Sequence, residues 1–136
     1  MSFVMKSPCA VIAMLVLVST VNSQAAAVEF NRDVRPILSD LCFQCHGPDK
    51  AKRKAKLHFD TEEGARSVIV AGKPQESELI RRITSSDPDT RMPPQASGHV
   101  LTPKQIKTIT QWVAEGAKWQ KHWAFIPPHA GLPPKV

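Results

Sequence analysis

The segment Cys42-Phe43-Gln44-Cys45-His46 constrains this chain most, because it sets two thiols three positions apart with an imidazole directly behind them. This C-x-x-C-H pattern is typical of covalent c-type haem attachment. Thioether bonds to the two vinyl groups of a haem need thiols about one helical turn apart, and the histidine rises from the same turn. We therefore predict one covalent haem c, with thioethers at Cys42 and Cys45 and with His46 as an axial iron ligand.

Three other interpretations of the two thiols fit the sequence less well. A thioredoxin-like redox pair also uses C-x-x-C, but it belongs to a βαβ setting, and the sequence shows no convincing alternating strand. A zinc site needs four ligands, and the chain's other histidines do not stand at zinc-finger spacing. A disulfide between Cys42 and Cys45 would close so small a loop that it would stabilise the fold little.

Residues 1–27 are typical of a secretory signal peptide. Lys6 is the only charge before Glu29, an apolar run covers residues 11–18, and three alanines close the segment at 25–27. The apolar run is too short to cross a bilayer, so we expect no membrane span in the mature chain. The protein is therefore predicted to be exported, either periplasmic or secreted.

Past the signal, apolar residues recur at three- and four-residue steps, which predicts an all-α domain over residues 28–120. We expect the first helix from about Asp33, as its N-cap, to Cys45, with Gly47-Pro48 ending it. A second, short helix is expected after Asp60, with Glu63 placed for a capping box.

A third helix is expected within residues 74–85, and the last helix has the clearest signals. Thr102 is its predicted N-cap, Pro103 its first residue and Gln105 the partner that completes a capping box. Residues 121–136 are rich in proline and lack periodicity, so they are predicted to be a tail or linker.

The second axial ligand is expected from the long loop after the third helix. Once the signal is removed, Met92 is the only methionine, and Pro93-Pro94 stiffens the chain behind it. Methionine is a common partner of histidine on the iron of electron-transfer cytochromes. His99 in the same loop and His58 remain alternatives, and Met92 could also be a gap-filling side chain.

The haem pocket is expected to be walled by apolar side chains, although ordinary core packing explains each of them equally well. The predicted wall residues are Leu41, Leu57, Phe59, Leu79, Ile83, Ile109 and Val113. The three tryptophans, Trp112, Trp119 and Trp123, are more readily explained by plain packing than by contact with the cofactor.

The run Lys50–Lys56 (KAKRKAK) carries five positive charges directly after the haem motif. Nucleic-acid binding would need interleaved aromatic residues or a known module, and neither is present. We predict a solvated loop that steers an acidic redox partner, with a merely soluble surface as an equal alternative. The sequence does not indicate an oligomeric state.

Several motifs occur in one order: FNRDVRPILSDLCFQCHGPD, GKPQESELIRRI, RMPP, LTPKQIKTITQWVAEGAKW and HWAFIPP. Together they resemble the planctomycete-type cytochrome c domain over roughly residues 29–127. The resemblance implies a small class I-like cytochrome c fold of four to five short helices, with Cys42, Cys45, His46 and Met92 at the haem-binding positions. The segment LHFDT departs from the family pattern at His58.

The predicted function is single-electron transfer by a non-enzymatic haem protein, since no catalytic carboxylate pair or triad stands out. The resemblance implies an alternative, because in this family the module usually opens a much larger secreted protein. The chain would then be an N-terminal haem module that supplies or accepts electrons for an enzyme.

Overall fold

Helices form all the regular secondary structure within residues 26–125, the part of the chain that the computed structural model describes. The predicted signal peptide lies almost wholly outside this part, as does the predicted tail beyond residue 125. Over the described residues the all-α prediction is confirmed. The α-helices are α1 (Arg35–Leu41), α2 (Phe43–His46), α3 (Glu62–Ala65), α4 (Glu78–Ile83) and α5 (Pro103–Ala114). Shorter turns are the π-helical Phe30–Val34 and the 3-10 turns Pro74–Glu76, Gln95–Ser97 and Trp123–Phe125.

The first predicted helix begins earlier than the sequence suggested and is interrupted before its end. A π-helical turn, Phe30–Val34, leads directly into α1, so Asp33 lies inside the turn and is not the N-cap. Its carboxylate instead accepts the backbone N–H of Glu29 at 2.8 Å. Cys42 departs from helical geometry and separates α1 from α2, which then ends at Gly47 as predicted.

The second predicted helix is present as α3, but its cap is not the predicted one. Thr61 is the N-cap, and its hydroxyl accepts the N–H of Gly64 at 3.1 Å. Glu63 is therefore one residue too early to close a capping box. Asp60 is occupied elsewhere, since its carboxylate pairs with the ring of His58.

The helix α5 begins as its sequence predicted. The Thr102 hydroxyl accepts the N–H of Gln105, whose side chain accepts the N–H of Thr102 in return, and Pro103 is the first helical residue. Such reciprocal bonds satisfy two backbone donors that the helix itself cannot. Gly116 has a φ of 99°, a conformation that glycine adopts at low cost, and it follows the end of the helix.

The core lies where the N-terminal turn packs against α5. Phe30 contacts Trp112 and Trp119, with ring centroids 5.4 Å and 4.3 Å apart, and the two indoles meet edge to face. The buried indole N–H of Trp112 donates to the carbonyl of Lys118 at 3.1 Å. Phe30 and Trp112 are therefore core residues and Trp119 packs against the core, which agrees with the packing interpretation for these two tryptophans.

Candidate functional site

An open cavity of about 300 Å³ lies between the C-x-x-C-H segment, α4 and the loop after it. Cavities of this size are typical of cofactor and small-molecule sites. Its wall is largely apolar and includes five of the seven predicted wall residues, Leu41, Leu57, Phe59, Leu79 and Ile83. Ile109 and Val113 do not line it, because both are fully buried on α5 in the core.

The cavity brings together the four residues for which the sequence predicted chemistry. Cys42, Cys45 and His46 line the cavity from the C-x-x-C-H segment, and Met92 lines it from the loop after α4. His99 also lines it, so both loop residues proposed as axial ligands reach the same space.

The C-x-x-C-H segment is folded by its own backbone. The carbonyl of Cys42 accepts the N–H groups of Cys45 and His46 at 3.1 and 2.8 Å, which closes the turn. The next residue is Gly47. A Cβ at this position would overlap the backbone of Phe43, so the chain needs glycine there. Both cysteines are free thiols, and burial, followed by the charge of Cys45, raises the pKa of Cys42 to about 12.

The His46 ring is oriented by neighbours that come just after it in the chain. Its Nδ1 lies 3.4 Å from the carbonyl oxygen of Leu57, and the edge of the ring faces Phe59 with centroids 5.8 Å apart. The carbonyl of His46 accepts the N–H of Phe59 at 2.8 Å. A proton on Nδ1 that faces Leu57 leaves Nε2 with the lone pair that a metal ligand needs.

The basic run Lys50–Lys56 is hydrogen-bonded to this turn, and its five basic side chains differ in their exposure to solvent. Its four lysines are exposed, but the Arg53 side chain is only 18% exposed. The Nε of Arg53 donates to the carbonyl of Gly47 at 2.7 Å, and the N–H of Lys54 donates to Cys45 at 2.8 Å. Four of the five charges therefore face solvent, directly beside the cavity.

The loop of Met92 is held mainly by backbone and hydroxyl contacts. The N–H of Met92 donates to the carbonyl of Arg82 at 3.1 Å, which connects the loop to α4. Further along, the N–H of His99 donates to the hydroxyl of Ser97 at 3.2 Å, and Gly98 between them has a φ of 72°. Both side chains that reach the cavity therefore stand on short, locally bonded turns.

His58 does not line the cavity. Its Nδ1 lies 2.7 Å from Oδ1 of Asp60, and its ring occupies the space beside Gly64 that a Cβ would fill. At His58, where LHFDT departs from the family pattern, the side chain therefore makes a local contact with α3. His58 is therefore a weaker candidate for an iron ligand than His99.

Sequence reasoning missed Arg82, Glu78 and Val68 in the cavity wall. Helical spacing could have found Arg82, which lies three residues after Leu79 and so shares its face of α4. Val68 lies outside every predicted helix, and no sequence signal pointed to it.

The structure thus defines a small all-α domain with a C-x-x-C-H turn facing an apolar cavity. Residues 42–96 match the model of the family described as Planctomycete cytochrome C. This match supports the resemblance to a planctomycete-type cytochrome c domain over residues 42–96, and similarity to that family suggests haem-based electron transfer. No curated protein and no solved structure matches the chain.

The residues of the cavity fit a c-type haem. The two thiols and the imidazole stand on one turn, and the remaining wall offers the apolar surface that a porphyrin needs. No strand occurs within residues 26–125 to provide a thioredoxin-like setting, and no three His, Cys, Asp or Glu side chains there are arranged to hold a metal ion directly. None of the helices between residues 26 and 125 has the length and apolar character needed to cross a membrane.

Proposed function

We propose that the chain is a c-type cytochrome of class I-like fold that transfers single electrons through one covalently bound haem in an exported compartment. The observation that carries this proposal is the shared cavity of Cys42, Cys45, His46 and Met92. These four residues provide two thioether positions and two axial ligands of complementary type. When bound, haem supplies an iron atom that accepts and releases one electron.

The chain's own residues have separate roles in this proposal. Cys42 and Cys45 would hold the cofactor covalently, and His46 would supply an iron ligand through Nε2 while the Leu57 carbonyl orients its ring. Met92 would supply the second iron ligand, and a thioether ligand favours the reduced state relative to a second imidazole. With both axial positions filled, no position is open for a substrate, which supports a carrier and not an enzyme.

The test is to produce the chain with a haem-maturation system and extract the purified protein with acidified organic solvent. We expect the colour to stay with the polypeptide, because thioether bonds survive extraction. Colour that moves entirely into the solvent, or a colourless polypeptide, would overturn the proposal. Slow carbon monoxide binding by the ferrous protein is expected as well, and rapid binding would contradict a filled second axial position.

The partner is proposed to be an acidic redox protein that approaches the lysines of Lys50–Lys56. Four exposed positive charges next to the cavity raise the local concentration of a negatively charged partner, and salt screens this attraction. We therefore predict that electron transfer to an acidic partner slows several-fold between low and physiological ionic strength.

A matched pair of variants tests this surface. Replacing Lys52 and Lys54 with glutamine removes two charges beside the cavity, whereas replacing Lys104 and Lys107 removes two exposed charges on α5. Stopped-flow rates are expected to fall and to lose salt dependence only in the first pair. Equal rates in the two pairs would exclude docking at this loop.

A further inference from the structure

Arg82 is the least expected residue of the cavity wall. It stands on α4 between the apolar Leu79 and Ile83, which are buried and line the same cavity. Its own side chain is 36% exposed, so the guanidinium lies at the border between the apolar wall and solvent. Among the described lining residues it is the only lysine or arginine.

The Arg82 guanidinium is oriented but has donors to spare. Its Nε donates to Oε1 of Glu78 at 2.7 Å, and its Nη1 lies 3.4 Å from the carbonyl oxygen of Thr90. Within residues 26–125 its Nη2 donates no hydrogen bond. An arginine carries five N–H donors in a planar fork that suits a carboxylate, so a second anion can be bound without breaking the first pair.

The local charge favours an anion despite the presence of Glu78. The Glu78 carboxylate also accepts two hydrogen bonds from Arg81. The hydrogen bonds from Arg81 and then from Arg82 lower the pKa of Glu78 to about 2. One carboxylate shared by two guanidinium groups leaves one net positive charge. Because the Arg82 guanidinium faces the cavity at its solvent border and keeps unused donors, this excess charge favours an anionic partner on the cavity side.

We infer that Arg82 is a binding site for a carboxylate of the cofactor, a haem propionate, with Glu78 holding the guanidinium in position. This inference rests on the proposed function. The backbone carbonyl of Arg82 also accepts the N–H of Met92, so one residue joins the carboxylate site to the loop of the second axial ligand.

The experiment compares Arg82→Gln with Arg81→Gln in the matured, haem-loaded protein. Arg81 is a close control, because it pairs with the same Glu78 from the same helix but does not line the cavity. Without the Arg82 charge the propionate favours the ferric state more strongly, so the reduction potential is expected to fall. We expect a shift of about tenfold in the redox equilibrium, or about 59 mV for one electron.

Resonance Raman spectra supply a second readout that does not depend on electron transfer. The propionate bending band is expected to shift in Arg82→Gln and to stay in Arg81→Gln. Arg82→Lys keeps the charge and is expected to restore most of the potential, which a purely structural role would not predict. All three variants keep the backbone carbonyl that binds Met92.

Equal potentials and an unmoved propionate band in Arg82→Gln and Arg81→Gln would overturn the inference, as would failure of Arg82→Lys to restore the potential. Wild-type protein that carries no covalent haem after maturation would instead overturn the proposed function. The two failures are therefore distinguishable in one set of samples.

Discussion

The side of the cavity that carries His46 is one continuous stretch, residues 41–59, whereas the side that carries Met92 joins α4 to the loop of residues 91–99. We call them the histidine wall and the methionine wall. In the histidine wall, backbone bonds within 41–59 close the turn and bring Phe59 back to His46. The methionine wall is connected to α4 by the bond from Met92 to Arg82.

The two walls differ in what fixes the positions of their side chains. Short-range bonds determine the histidine wall, so a few neighbouring residues suffice to orient its imidazole. The methionine wall offers two side chains that could ligate iron, Met92 and His99, on turns that depend on the packing of α4. The predictions below test whether the two walls differ in this way.

The largest effect is expected at the histidine wall. His46→Ala removes the imidazole that faces Leu57 and the cavity, and we expect loss of the low-spin spectrum and of most mature haem protein. His58→Ala is the control, since His58 pairs with Asp60 outside the cavity. Haem content per polypeptide, from the pyridine haemochrome spectrum, is the measurement. Equal losses in both variants would refute the assignment of His46.

The next effect separates the two candidates of the methionine wall. Met92→Leu is expected to abolish the far-red methionine–ferric absorption band and to lower the reduction potential, because a thioether ligand raises it. His99→Leu is expected to leave the band in place. Absorption spectra and redox titrations of both proteins are the measurement. A wild-type protein without the band would remove Met92 as the ligand.

A moderate effect on stability is expected from filling the space behind the haem motif. Gly47→Ala forces a Cβ against the backbone of Phe43, which cannot move without opening α2, and overpacking of this kind costs about 1–3 kcal/mol. In Gly64→Ala the nearest contacts of the added Cβ are with the His58 ring, a side chain that can rotate. Urea unfolding is expected to show the larger loss for Gly47→Ala. The reverse order would contradict a histidine wall held by its own backbone.

The smallest effect concerns pH and the methionine wall. Hydrogen bonds from Arg81 and then Arg82 lower the pKa of Glu78 to about 2, so this carboxylate favours the folded state above its ordinary pKa. Its contribution is lost as the pH falls from about 4.5 toward 2, and it is small because the side chain is 37% exposed. A carboxyl NMR titration is expected to show this low pKa, and each arginine-to-glutamine variant should raise it. An ordinary pKa for Glu78 would contradict the paired arrangement.

Local chemistry made much of the fold predictable. The capping box of Thr102 and Gln105 and the stop at Gly47 depend on residues within a few positions of one another, so their sequence pattern is sufficient. The predicted start of the first helix, at Asp33, was wrong because packing against a distant helix also affects this segment. Asp33 has the side chain of an N-cap, but the chain before it also winds into a helical turn, because Phe30 packs on the indoles of α5.

The sequence predicted which residues line one side of the candidate site but only part of its remaining wall. The C-x-x-C-H pattern named the residues that face the cavity from one side, and periodicity found Leu79 and Ile83. Periodicity identifies the apolar face of a helix but not what covers that face. For this reason Ile109 and Val113 were expected in the pocket, although they are buried in the core.

By itself, the sequence determined the helical class, the spacing of the two thiols and the imidazole, and the family of the domain. These depend on bonds and periodicities that act over a few residues, and on a motif order that the family shares. Only the tertiary structure decided that His99 reaches the cavity while Ile109 and Val113 are buried in the core. Those placements depend on how distant segments pack, and hydrophobic burial is non-directional, so no short pattern encodes them.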